Sequence, residues 1–157
     1  MKDNSDEIKK ALGTLVWDFG MLEVYLKIIA AKLISDDAKI GGIVISEMSY
    51  RNLINAFDSL MKYSYSNHDI RNILKELNDV EAQRNTYIHS AYTESPKDSA
   101  NIHRFKFTAK QGKGLSVTAE QVDVRNIENT CERIRVVNNE LANLARKIWG
   151  DAVLKFV

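Results

Sequence analysis

The chain has 157 residues, of which 45% are hydrophobic and 27% are charged, so it can form one globular domain with a buried core. Lys and Arg total 22 and Asp and Glu total 21, and this balance excludes a generic histone-like coat for nucleic acid. Any contact with nucleic acid must therefore come from local basic patches. We predict a single domain over residues 1–157.

The cysteine count and the charge pattern limit where the protein works. The single cysteine, Cys131, excludes an internal disulfide and a cysteine-rich zinc site. The charged N-terminus, Met1–Lys10, lacks the apolar stretch of a signal peptide. Residues 15–34 are rich in apolar side chains, but they include too many charges for a membrane span: Asp18, Glu23, Lys27 and Lys32. We therefore expect a cytoplasmic location and no membrane partner.

The first predicted helix runs from about Ser5 to Leu33, because apolar residues recur along it at helical spacing. These residues are Ile8, Leu12, Leu15, Phe19, Leu22, Leu26, Ile29 and Leu33. A second apolar stripe follows Trp17, Met21, Val24 and Ile28. Two stripes predict burial on two sides, so this helix is either central in the fold or meets another subunit with one face.

Two further long helices are predicted between Ser49 and about Ala91. Residues 43–48 are apolar and fit either a short helix or an ordered loop. Ser49 is placed to cap the second long helix. Asn67 is placed to cap the third, which extends to about Ala91. Both helices carry apolar residues at helical spacing, as the first one does.

The only alternating segment follows the third long helix. Composition predicts a loop over Ser95–Ser99, period-two alternation follows over 102–107, and Gln111–Gly114 predicts a turn. These signals predict a small β-hairpin over about 102–121. Asp123 is placed to cap the last long helix. The predicted fold is an all-α, four-helix-type up-and-down bundle with this hairpin before the last long helix.

The segment Arg84-Asn85-Thr86-Tyr87-Ile88-His89 is the strongest candidate for a functional site. An arginine can hold a phosphodiester in a bidentate fork, and a histidine can move a proton near neutral pH. Residues five apart on a helix differ by about 140° in direction, so Arg84 and His89 do not share a face. Asn85 and His89 do share one, and Tyr92 continues their line if the helix persists. No metal ligand set accompanies these residues.

Arg84 lies on the apolar stripe of its helix, where a guanidinium needs an acid partner or an interface, because burying it alone is costly. Glu23 on the first helix is the candidate carboxylate that orients Arg84 or His89, and a salt bridge within the bundle is its plain structural interpretation. If two copies pack the third long helix around a two-fold axis, both motifs converge on one cleft. We predict a homodimer through that helix and possibly through the first.

Arg-x4-His, with Asn85 after the arginine and the small Ser90 after the histidine, in the third long helix of a compact bundle, resembles the HEPN superfamily. The resemblance covers roughly the whole chain in architecture and motif. Many members are homodimeric, metal-independent endoribonucleases of prokaryotic defence, toxin or CRISPR systems. The resemblance therefore implies an RNA substrate, no cofactor, and ends that carry a 2′,3′-cyclic phosphate.

The resemblance also implies roles for individual residues. Arg84 would bind the scissile phosphate, His89 would act as general acid or base, and Asn85 would orient His89 or the phosphate. HEPN toxins paired with a nucleotidyltransferase antitoxin carry a tyrosine two residues after the histidine, where this chain has Ala91 and places its tyrosine at Tyr92. An antitoxin or regulatory protein is a possible partner. Two alternatives stand beside the enzyme: a catalytically silent HEPN module that binds a partner protein or nucleotide, and a plain bundle whose motif is coincidental.

The hairpin region is locally basic. Between Lys97 and Lys113 five cations accompany one acid, so the local charge is 5 − 1 = +4. The candidate RNA-binding cations are Arg104, Lys106, Lys110 and Lys113, which would make the hairpin an arm that grips an RNA backbone. The alternative is a two-stranded hairpin whose phenylalanines lie in the core and whose lysines protect an edge.

Overall fold

The computed structural model describes residues 4–95, 98–110 and 114–151. Its elements follow in chain order: α1 (Asn4–Ile34), α2 (Ala38–Ile45), α3 (Tyr50–Ser64), α4 (Arg71–Ile88), β1 (Ala91–Ser95), β2 (Asp98–Lys110), β3 (Gly114–Gln121) and α5 (Val124–Trp149). The described chain is mostly helical, with a three-stranded antiparallel sheet between α4 and α5. The predicted four-helix-type bundle with a hairpin before its last long helix is confirmed.

The first helix, α1, is the central element of the bundle and packs against α5, α3, α2 and α4. Its first apolar stripe is buried, and Leu15, Leu22 and Leu26 are each fully covered. Burying one such leucine stabilises the fold by roughly 1.5–3 kcal/mol. No helix in the described ranges is long and apolar enough to cross a membrane.

The helix ends test the capping predictions. Ser49 accepts a hydrogen bond from the Asn52 backbone N–H at 3.3 Å, and Asp123 accepts one from the Arg125 N–H at 3.0 Å, so both predicted N-caps are confirmed. The prediction for Asn67 was wrong, because α4 begins only at Arg71. There the carboxylate of Asp69 accepts from the Arg71 N–H at 3.1 Å.

The sheet is larger than the predicted hairpin, because β1 joins it as a third strand. Ala91 pairs with Phe105, so α4 ends at Ile88 and not at about Ala91 as predicted. The predicted loop over Ser95–Ser99 is wrong at three of its residues, since β1 extends to Ser95 and β2 begins at Asp98. Pro96, Lys97 and the predicted turn residues 111–113 lie outside the described residues. Gly114, the last residue of the predicted turn, has a φ of 74°, a conformation that favours glycine.

Candidate functional site

The predicted site begins with Arg84, which occupies a core-facing position of α4. Ile73, Leu77 and Val80 form the buried stripe of this helix, and Arg84 extends the stripe by one more turn. Its side chain is half-buried, and its guanidinium carbon lies 5.1 Å from the centroid of the Phe19 ring of α1. This is a cation–π contact, worth about 0.5–2 kcal/mol depending on how dry it is.

The hydrogen bonds of Arg84 do not use all of its donors. Its Nη1 donates to the side-chain oxygen of Asn85 at 2.9 Å. Its Nε is buried and has no acceptor, and within the described ranges no carboxylate lies at ion-pairing distance from the guanidinium. The predicted pairing with Glu23 is wrong, because that carboxylate bonds Lys27 at 2.7 Å, one turn along the same helix.

The ring beneath Arg84 belongs to an aromatic pair. The Tyr50 ring packs on Phe19 at 4.8 Å between centroids, and its hydroxyl donates to the Leu77 carbonyl at 3.4 Å. Burial raises the pKa of Tyr50, and the neighbouring charges of Glu81 and Glu23 raise it further. The guanidinium therefore lies in a partly dry, aromatic setting and has no direct counter-ion among the described residues.

His89 lies at the end of the same helix and faces solvent. It is the C-cap residue of α4, and its backbone N–H donates to the Asn85 carbonyl at 3.3 Å. Its imidazole is exposed, whereas Arg84 points inward. Asn85 contacts both residues: its side chain accepts from Arg84 and its carbonyl accepts from His89. One chain therefore presents the two catalytic candidates in different directions, as the helical spacing predicts.

Tyr92 does not continue the line of Asn85 and His89, because it lies on β1 and not on a helix. Its hydroxyl donates to the Tyr87 carbonyl at 2.7 Å, which ties the start of the sheet to the last turn of α4. Burial raises the pKa of Tyr92 to about 12, so the phenol remains a hydrogen-bond donor at neutral pH. These contacts give Tyr92 a structural role.

The predicted RNA-binding cations differ in the contacts that they make within the protein. Arg104 pairs with Glu120, donates to the Thr86 carbonyl at 3.3 Å, and lies 5.8 Å from the Tyr87 ring centroid, so it joins the sheet to α4. Lys106 is partly exposed on β2. Two of the predicted cations cannot be placed: the side chain of Lys110, and Lys113 as a whole, lie outside the described part of the chain.

An exposed apolar face lies on α1, mostly on the side away from Phe19. Trp17 is 74% exposed and Val16 is 51% exposed, and a Cβ at Gly20 would meet no atom within 4 Å. Val16 lies one turn before Phe19, whereas Trp17 lies about 160° around the helix from it. The face includes Trp17 and Val24 of the predicted second stripe, and the described chain leaves both exposed.

Sequence reasoning missed the aromatic support of Arg84 and a groove between α4 and α5. Phe19 was recognised only as a core residue, because its contact with Arg84 depends on how α1 packs against α4. The groove has a volume of about 410 Å³ and lies beside Thr86, within the predicted motif. A row of amide and hydroxyl residues on the facing sides of two predicted helices was the signal that could have found it.

Comparison with known proteins adds no relative. No family model matches this chain, and neither a curated protein nor a solved structure matches it. Within the described residues no group of three or more His, Cys, Asp or Glu is placed to hold a metal ion. The residues of the site can still bind an anion through Arg84 and transfer a proton through His89.

Proposed function

We propose that this protein is a HEPN-type, metal-independent endoribonuclease that acts as a homodimer in prokaryotic defence or a toxin-type stress response. One observation carries the proposal. A half-buried guanidinium, Arg84, five residues before an exposed histidine, has an unsatisfied Nε and no carboxylate partner among the described residues. An uncompensated buried donor is costly, and a phosphodiester supplies the acceptor oxygens that it lacks.

A second copy of the chain is part of the proposal. Within one chain Arg84 and His89 point in directions about 140° apart, so they do not act on one phosphate. Around a two-fold axis through the ends of α4, the exposed histidine of one copy approaches the arginine of the other. The exposed face of α1, with Trp17 and Val16, supplies further apolar surface that a second copy can cover.

The proposed chemistry is an in-line transesterification. The ribose 2′-oxygen attacks phosphorus, and the bond from phosphorus to the 5′-oxygen breaks, which leaves a 2′,3′-cyclic phosphate. A neutral His89 takes the proton of the 2′-hydroxyl, and the protonated His89 of the second copy gives a proton to the leaving 5′-oxygen. Arg84 binds the phosphate and stabilises the charge that develops on its oxygens. Asn85 holds the guanidinium in place through its side-chain oxygen.

The second candidate function is a catalytically silent HEPN module that binds a partner protein. The exposed apolar residues of α1 and α2 favour this alternative, because a regulatory partner or antitoxin can cover them as well as a second copy can. They are Val16, Trp17, Val24, Ile40, Ile43 and Val44. A silent module binds its partner without cleaving RNA, and this separates the two functions.

The cleavage test uses purified protein and single-stranded RNA in EDTA, with the ends of the products analysed chemically. We expect cleavage with 2′,3′-cyclic phosphate ends, and a loss of about 10²–10³-fold in rate for Arg84→Met and for His89→Ala. Methionine at position 84 keeps an unbranched apolar side chain against Phe19 and removes the guanidinium. The matched controls are Arg71→Met, at the exposed start of the same helix, and His68→Ala, in the turn between α3 and α4.

The controls decide between the enzyme and its alternatives. Both control variants should cleave like the unmodified protein, since neither residue belongs to the motif. Cleavage that survives in Arg84→Met and His89→Ala points to a contaminating ribonuclease and rejects the assignment. Absence of cleavage by the unmodified dimer favours the silent module.

A further inference from the structure

A polar groove between α4 and α5 lies next to the proposed catalytic residues. It has a volume of about 410 Å³ and is lined chiefly by amide and hydroxyl side chains, including Gln83, Thr86, Asn126, Asn129 and Thr130. No carboxylate is among its lining residues. Its size is that of a small-molecule site, and its lining suits a neutral, polar ligand.

The hydrogen bonds inside the groove determine which groups it offers. The Thr86 hydroxyl donates to the Ala82 carbonyl at 3.0 Å, and the Thr130 hydroxyl donates to the Asn126 carbonyl at 2.9 Å. Both hydroxyls therefore present acceptors to the groove. The Thr130 hydroxyl also donates to the Gln83 side-chain oxygen at 3.3 Å, so it is the NH2 group of Gln83 that remains available to a ligand. The amides supply both donors and acceptors.

The one cation of the groove is already neutralised. Arg133 donates to Glu76 at 2.8 Å and lies 3.3 Å from Asp79. Its guanidinium is therefore bound by two carboxylates, which disfavours a phosphate or another anion as the ligand. A neutral heterocycle with donors and acceptors along one edge fits the lining better, because one amide side chain can form a pair of hydrogen bonds with such an edge.

The position of the groove connects it to the proposed reaction. Thr86 lies three residues before His89 on the same helix, and side chains with this spacing have Cβ atoms about 5–6 Å apart. The groove, which Thr86 lines, thus lies about one helical turn from His89. We propose that it binds the nucleobase next to the scissile phosphate of an RNA substrate, with Gln83 and Asn129 contacting the base edge. This proposal rests on the proposed ribonuclease function.

The test measures base preference separately from cleavage. His89→Ala protein, which does not consume the RNA, is titrated with short single-stranded homopolymers of A, C, G and U, and affinity is followed by fluorescence anisotropy. We expect one homopolymer to bind best, and Gln83→Met and Asn129→Leu each to weaken it about tenfold while changing the others less. Asn139→Leu is the matched control, because Asn139 is also exposed on α5 but does not line the groove.

Two outcomes separate this inference from the ribonuclease proposal. If the unmodified protein cleaves RNA but neither groove variant changes the ranking of the four homopolymers, the groove assignment is wrong and the ribonuclease stands. If no RNA is cleaved but Asn129→Leu removes a base preference, the groove binds bases and the ribonuclease assignment fails. Equal binding of all four homopolymers, or no binding, overturns the groove assignment.

Discussion

Two arginines that pack at α4 have different partners. In the seam between α4 and α5, Arg133 of α5 is bound by Glu76 and Asp79, which lie near the middle of α4. Nearer the C-terminal end of α4, Arg84 has an aromatic ring and one amide, and its Nε has no acceptor. The fold supplies carboxylates to Arg133, which holds the two helices together. The proposed phosphate site rests on the absence of such a carboxylate from Arg84.

The most direct test of this comparison is to replace each arginine by methionine. Arg84→Met should leave the free energy of unfolding within about 0.5 kcal/mol of its original value or raise it, because removal of a buried donor without an acceptor offsets the lost contacts with Phe19 and Asn85. Arg133→Met should lower it by about 1 kcal/mol, since Glu76 and Asp79 lose their counter-ion at a partly exposed site. Urea denaturation at one fixed protein concentration measures both changes.

The comparison fails if both substitutions lower the free energy of unfolding by the same amount. If Arg84→Met destabilises the protein as much as Arg133→Met does, Arg84 is a structural arginine and the basis for a phosphate site is lost. A changed denaturant slope in either variant would mean that the mutation altered the unfolded state or the cooperativity, and the comparison would then need a second probe.

Tyr92 provides a second comparison, because its hydroxyl has a hydrogen-bond partner whereas the Nε of Arg84 has none among the described residues. Its hydroxyl donates to the Tyr87 carbonyl, so Tyr92→Phe should cost up to about 1 kcal/mol at neutral pH. Burial raises the pKa of Tyr92 from 10.0 to about 12. The folded state thus binds this proton more tightly, and stability should fall as the pH rises from 10 to about 12. Tyr92→Phe should make this loss of stability at alkaline pH smaller.

Urea titrations at several alkaline pH values measure the effect. Tyr63→Phe is the matched control, because Tyr63 is 90% exposed and should leave the pH profile unchanged. An unchanged alkaline profile in Tyr92→Phe would show that another group governs it. Tyr50 is then the next residue to replace, since burial also raises its pKa.

Local signals in the sequence predicted two of the three helix caps correctly. The caps at Ser49 and Asp123 depend on side chains that bond the backbone two or three residues away, and both are present. The third strand was missed because β1 is specified by pairing with β2, for example Ala91 with Phe105, and its own sequence has no clear alternation. That pairing also ends α4 earlier than its apolar pattern predicted.

The sequence predicted those features of the site that depend on local geometry and missed those that depend on tertiary packing. The opposed directions of Arg84 and His89 follow from helical geometry alone, and the structure reproduces them. The partner of Arg84 depends on tertiary packing. Glu23 was favoured because it lies on α1, but its nearest cation is Lys27, one turn away, and the ring of Phe19 takes the place beside Arg84.

The central claim is that the ends of two α4 helices meet, and site-directed crosslinking tests it most directly. His89→Cys places a thiol at that end, and Arg71→Cys places one at the start of the same 18-residue helix, about 27 Å away. The native Cys131 is only 3% exposed and should not react. With a short bis-maleimide, we expect a covalent dimer for His89→Cys and none for Arg71→Cys. No dimer from His89→Cys, or equal crosslinking of both variants, would contradict the account.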